Sequence, residues 1–227
     1  ATQPPARTVV LPGMVVTSLE AIQALRGTAT QTDDVMTAIR IFVPGEEPTS
    51  ISATLTPDDA DKDPIRFTLD VSAGVVTDIP IEELATGAYT VQIDADEPIV
   101  AAARTTSAVI NSTGGIATTD FAWFTASPAL TEDTQLTIAS GLDAVLNVVN
   151  PSDENVVVSL SAANETEEEY TIEAGATLRL SVPNGETFTL AHSDRLFVSV
   201  TQAANGFVSA YSVDPQAPGS SPLKVFP

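Results

Sequence analysis

One plan of residues occurs twice in this chain, and it constrains the fold more than any other feature. Residues 41–55, IFVPGEEPTSISATL, and residues 146–160, LNVVNPSDENVVVSL, each pass from an apolar run through an acidic, proline-containing turn into a second apolar run. After the first turn Ile51, Ala53 and Leu55 alternate with Ser52 and Thr54, the period of a strand half buried on a sheet face. The later turn crowds Asn150, Ser152, Asp153 and Glu154 together, whereas the earlier one carries Gly45, Glu46 and Glu47. A turn whose functional groups change between copies points to strand pairing rather than ligand chemistry. Each copy therefore reads as a hairpin that defines one domain.

The correspondence extends beyond the turn. Ala73-Gly74 recurs as Ala174-Gly175, so that Val75, Thr77, Ile79 and Ile81 match Ala176, Leu178, Leu180 and Val182, and residues 99–103 match 197–201. Face parity survives the overlay, and parity is what a one-residue slip would destroy. The turn signals recur about every 8–12 residues, which predicts an all-β chain of two tandem β-sandwich domains, immunoglobulin-like by analogy. The expected division is a linker stub at 1–7, a first sandwich at 8–117, a second at 118–214 and a flexible tail at 215–227. The stretch 121–126 resembles both an opening strand, 8–12, and a closing strand, 207–213, and its domain stays open. Asn205-Gly206 is the best two-residue hairpin turn in the chain.

Within the first copy, strands are expected at 8–11 and 14–16 on either side of Pro12-Gly13, with acidic turns at 56–64 and 94–97. One short helix is expected at 18–26. Ser18 is its N-cap, Leu19, Ile22 and Leu25 share a face, Arg26 suits the C-terminal dipole and Gly27 the stop.

Nine Lys and Arg against thirty Asp and Glu leave a net charge of −21, so nucleic acid and anionic lipid are poor partners. The apolar share, 43%, is enough for real cores and argues against disorder. The chain has no cysteine, which removes disulfides, thiolate zinc sites and thiol nucleophiles. No apolar stretch approaches the roughly 20 residues of a membrane span. The start at ATQPPAR, without Met, looks like a chain from which a signal or membrane anchor has been removed.

The sharpest candidate site is the loop PDDADKDP, in which Asp59, Asp61 and Asp63 alternate as carboxylates do in calcium loops. Pro64 stands where an EF-hand needs Gly, and Asp70 replaces its bidentate Glu, so a solvated hairpin loop is the plainer reading. No cofactor is expected beyond calcium at this loop. Asp94, Asp96 and Glu97 form a weaker acidic cluster, and Glu165, Glu167, Glu168 and Glu169 read as a solvated tip. The single histidine, His192, is followed by Ser193 and Asp194, but neighbours in sequence do not make a triad, and a structural His at an inward or end-of-strand position is expected. Trp123, between Phe121 and Phe124, reads first as a core or interdomain anchor and second as part of a ligand platform. The sequons at Asn111 and Asn164 are short chance patterns and mean nothing if the host is bacterial.

The phrases DFAWFTASPAL (120–130), LNVVNPSDENVVVSL and EAGATLRLSV resemble a family of uncharacterised, exported or membrane-anchored actinobacterial proteins built of tandem β-sandwich repeats. The resemblance covers residues 8–214. It implies an extracytoplasmic location behind an N-terminal anchor and brings no catalytic residues. The expected function is a non-catalytic cell-surface module, a scaffold, spacer or protein-interaction unit facing an unknown protein or cell-wall partner. The alternative is a calcium-aided adhesin or carbohydrate-binding module.

Overall fold

A computed structural model describes residues 4–17, 19–28, 35–81, 84–162 and 166–215. In the first half the elements are β1 (Ala6–Val16), α1 (Leu19–Thr28), β2 (Ala38–Phe42), β3 (Thr49–Pro57), β4 (Ile65–Val71), β5 (Val76–Pro80), β6 (Gly87–Ile110) and β7 (Ile116–Thr125). Strand β6 is the hub. At 24 residues it is far longer than an ordinary strand, and it serves two layers in turn. Its first part, through Ile99, pairs with β1 and β3, and its later part, from Val100, pairs with β2 and β7. Strand β4 extends the first layer beyond β3, and β5 extends the second beyond β2.

The second half repeats this scheme with β8 (Thr134–Thr137), β9 (Ala144–Val149), β10 (Val156–Ala162), β11 (Glu168–Ile172), β12 (Thr177–Val182), β13 (Thr187–Ala191), β14 (Phe197–Ala204) and β15 (Phe207–Ser212). Its layers are β11-β10-β13-β8 and β12-β9-β14-β15, both antiparallel. Here β13 and β14 take the places of the two parts of β6. The fold is all-β and sandwich-like, with one helix among the described residues. In both halves the first strand lies beside the sixth.

Burial follows the period of two read from the sequence. Ile39, Ile41, Ile51, Ala53, Leu55, Val91 and Ile93 meet between the first two layers, and Leu146, Val148, Val158, Leu190, Val198 and Val200 between the second two. A third, small cluster joins Ala21 and Ile22 of α1 to Val35 and Ala108, so the helix lies on the outer face of β6. At about three turns α1 is held by that docking rather than by its own propensity.

The repeated motif is not a hairpin. Strand β2 pairs with β5 and β6, and β3 with β4 and β6, so residues 41–55 cross from one layer to the other. Residues 146–160 do the same between β9 and β10. The proline turn is several residues long and lacks the two-residue dipeptide that holds paired strands together, which leaves it free to arch over the core. Asn150, fully buried, anchors the second arch: its Nδ2 donates to the carbonyls of Glu154 (2.7 Å), Glu173 (3.1 Å) and Ile172 (3.2 Å). In the first arch the backbone does this work, with the Gly74 N–H donating to the Val43 carbonyl at 2.9 Å. Asn205-Gly206 does turn a hairpin, β14 to β15, with both residues in the left-handed region.

Several other expectations change. Residues 8–11 and 14–16 belong to one strand, β1, which also takes Ala6 and Arg7 from the expected linker and shifts register between Leu11 and Met14. Residues 94–97 lie inside β6 at its bend rather than in a turn. Residue 117 falls within β7, which pairs with β6, so the stretch at 121–126 belongs to the first sandwich. The helix runs on past Gly27 to Thr28. Ser18, Asn164, Glu165 and most of the tail, 216–227, lie outside the described residues.

Candidate functional site

The structure does not draw the nominated carboxylates together. Asp59, Asp61 and Asp63 are all exposed on the turn after β3. Asp59 accepts the Asp61 N–H at 3.1 Å through one oxygen and faces the Lys62 ammonium at 3.3 Å through the other. Among the described residues no three acidic, histidine or cysteine side chains converge to hold a metal ion. Asp94 accepts from Thr8 and Gln92, and Glu97 pairs with Arg7 at 3.3 Å.

His192 is exposed, at the end of a strand rather than inward. It sits in the left-handed region after β13, where its N–H donates to Asp133 at 2.9 Å. Ser193 is buried and its hydroxyl donates to the Glu132 carbonyl at 2.8 Å, so the pair forms a turn anchor and not a nucleophile with its base. Trp123 is half exposed on the outer face of the second layer, not in a core, with the Arg40 guanidinium 4.9 Å from its ring centroid. Arg104 stacks likewise over Phe121, at 4.6 Å. Phe124, one residue on, points into the core.

The most developed polar arrangement lies between the two sandwiches, and sequence reasoning missed it. Asn147 on β9 and Ser199 and Thr201 on β14 face outward from their sheet, yet all three are buried, because β1 lies across them. The Ser199 hydroxyl donates to the Pro12 carbonyl at 2.8 Å, and the Thr201 hydroxyl to the Gly13 carbonyl at 2.9 Å. Pro12 has no N–H, and Gly13 has φ +70°, so β1 leaves its regular register there. Asn147 Nδ2 donates to Thr201 at 3.2 Å, and its Oδ1 accepts from Arg179 Nε at 3.1 Å. Arg179 in turn pairs with Asp58 of the first sandwich. Ser127 adds a further bond, from its hydroxyl to the Val198 carbonyl at 2.8 Å, and Val208 of β15 packs into the first apolar cluster. Hydrogen-bonded in this way, the buried polar groups cost little, and removing any one strands its partners.

Beside this junction opens a cleft of about 370 Å³ lined by Gly13, Thr56, Asp58, Tyr89, Thr177 and Arg179 among others. Its lining holds no histidine or serine. Burial pushes the Tyr89 hydroxyl above its ordinary range, and that hydroxyl donates to the Ala85 carbonyl at 2.8 Å. The Thr90 and Thr177 hydroxyls bond each other across the gap at 2.7 Å. What this arrangement does chemically is fasten two bodies. A signal for it was present in the sequence: AVLNVV is apolar on both parities, as a strand buried on both faces must be.

A family model described as "Family of unknown function (DUF5719)" matches residues 1–183. The chain belongs to that family. The match runs through the first sandwich and both arches and ends just after β12. No curated protein matches the chain. Among solved structures, a crystal structure of Thermotoga maritima 1070 overlaps 55% of this chain and 95% of its own, at 14% identity and a TM-score of 0.39, too slight a likeness to assign anything.

Proposed function

We propose that the chain is a non-catalytic extracytoplasmic module, a scaffold or spacer that carries its surfaces on two rigidly joined sandwiches. The observation that supports this reading is the junction of Pro12 and Gly13 with Asn147, Ser199 and Thr201, a buried hydrogen-bonded contact where a flexible linker would otherwise be the default. A spacer transmits position only if its parts keep their mutual orientation, and a buried polar contact fixes orientation more sharply than apolar contact alone. The net charge of −21 keeps such a surface module soluble. The residues nominated for chemistry serve turns instead: Ser193 caps a carbonyl and Asp59 closes its own loop.

The calcium clause of the adhesin alternative finds no donor set at Asp59, Asp61 and Asp63. Two measurements test the proposal. Protease treatment of intact host cells should remove the protein while a cytoplasmic marker survives, and equal survival of both would sink the location. Backbone ¹⁵N relaxation should give both sandwiches one rotational correlation time, and two clearly different times would sink the rigid spacer.

A further inference from the structure

The outer face of the second layer differs sharply between the two sandwiches. The strand pairings overlay Arg40 on Asn147 and Ala102 on Ser199, two residues and one residue off the overlay expected from the sequence. The pairs Arg40–Asp78 and Asn147–Arg179 therefore occupy the same cross-strand position in the two copies, and Arg104–Trp123 corresponds to Thr201–Ala210 and Thr106–Phe121 to Ala203–Val208. In the second copy this face is closed by the first sandwich. In the first copy α1 covers only the end near Ala108, and among the described residues nothing covers the remainder. That bare half presents Val76 (54% exposed), Phe121 (51%) and Val100 (43%), three of the seven large apolar side chains that stand exposed among the described residues, together with half-exposed Phe42 and Trp123. Two arginines lie over its aromatic rings.

From this we infer that the bare face is where a second copy of the chain docks, face to face about a twofold axis. The first argument is positional: the equivalent face in the same molecule is covered by a β-sandwich of the same kind. The second is charge. A body of net charge −21 repels its own copy over most of its surface, but here Arg40 and Asp78 bring both signs of charge to the face. This is where two such bodies approach at least cost. The third is composition: Trp, Phe and Arg packed flat are the side chains on which interface energy concentrates, and a face with both signs of charge can complement itself. Four strands about 4.8 Å apart and about five residues long give a patch of roughly 20 by 17 Å, smaller than most specific interfaces, so the pairing is expected to be weak, in the micromolar range.

Sedimentation equilibrium of the full chain between about 5 and 300 μM tests this directly, and should show a monomer–dimer equilibrium with a Kd of tens of micromolar. Because overall repulsion opposes the contact, raising the salt should tighten it, whereas docking of acidic groups onto the arginines would loosen with salt. Phe121→Ser should weaken the dimer at least about tenfold. Val76→Ser, on the opposite margin of the face, should act in the same direction, and Val157→Ser, exposed on β10, should do nothing. Since the chain has no cysteine, Val100→Cys with a short bismaleimide should give a covalent dimer. Monomer at every concentration, a dimer indifferent to Phe121→Ser and Val76→Ser, or a dimer loosened by salt would each overturn the inference.

Discussion

The two sandwiches pair their strands by one scheme, yet they treat its hub and its outer face differently. In the first, β6 runs unbroken through a bend, with Ala6 opposite Ile99 and Thr8 opposite Asp94. In the second, the hub is cut into β13 and β14 by a tight loop in which His192 and Arg195 both take positive φ, and buried Ser193 holds the loop to the Glu132 carbonyl. The outer face is covered in one copy and bare in the other. The difference teaches that the core alternation and the two arches are what the repeat preserves, while outward positions are free to become either a joint or a surface.

The joint is the place to break that comparison hardest. A Cβ built on Gly13 would overlap the side-chain amide of Asn147, and φ +70° is itself costly for any other residue. Gly13→Val should therefore cost about 3 kcal/mol, from overpacking and backbone strain together. In urea the wild-type protein should unfold in one transition, and the variant should show two, as each sandwich loses its neighbour. A single transition at an unchanged midpoint would mean that β1 is not the wedge.

The next contrast sets equivalent side chains against each other. Asn147→Ala takes one hydrogen-bond partner from each of Arg179, Ser199 and Thr201 at a buried site and should cost about 2 kcal/mol. Arg40→Ala, at the matching position of the bare face, removes an ion pair whose members are 48% and 43% exposed, and should cost under about 1 kcal/mol. Equal losses, measured by denaturant midpoints, would remove the distinction between a covered and an open face.

A smaller effect sharpens the likeness instead. Gly74 and Gly175 turn the corresponding Ala-Gly dipeptides with φ +71° and +68°, and nothing lies within 4 Å of a Cβ added to either. Only the backbone penalty remains, about 1 kcal/mol, so Gly74→Ala and Gly175→Ala should lower stability by the same amount within a few tenths. Unequal losses would show that the two turns are not equivalent.

Much of this architecture was legible because burial between two sheets imposes a period of two, and Ile39, Ile41, Ile51, Leu55, Leu146 and Val148 obey it. The Ala-Gly turns and Asn205-Gly206 were legible because few residues accept positive φ. The arches were misread as hairpins, since a proline turn between two strands looks the same whether the strands pair or face each other across a core. The junction was missed for a related reason. Alternation marks Asn147, Ser199 and Thr201 as outward, and the apolar Val145 and Val149 on the same face as Asn147 were the one sign in the sequence that a second body lies outside. Asp59, Asp61 and Asp63 had the spacing of ligands without the loop to converge them, because spacing along an exposed turn sets no direction for its carboxylates.

The last contrast is a matter of pH. The Arg40 guanidinium donates both Nε and Nη2 to the Asp78 carboxylate at 2.7 Å, and this hydrogen bonding holds the Asp78 carboxyl below its usual range. A carboxyl with a lowered folded pKa adds stability above its unfolded value of about 4 and loses it as the pH falls through the folded value. Since both partners are largely exposed, solvent screening reduces that contribution to a few tenths of a kcal/mol. The matching pair of the second sandwich joins Arg179 to the amide of Asn147, which does not titrate in this range. Asp78→Asn should therefore melt slightly lower than wild type at pH 7, and the gap should close as acid protonates Asp78. A gap that persists to pH values well below 4 would assign the loss to altered packing on the bare face rather than to the charge of Asp78.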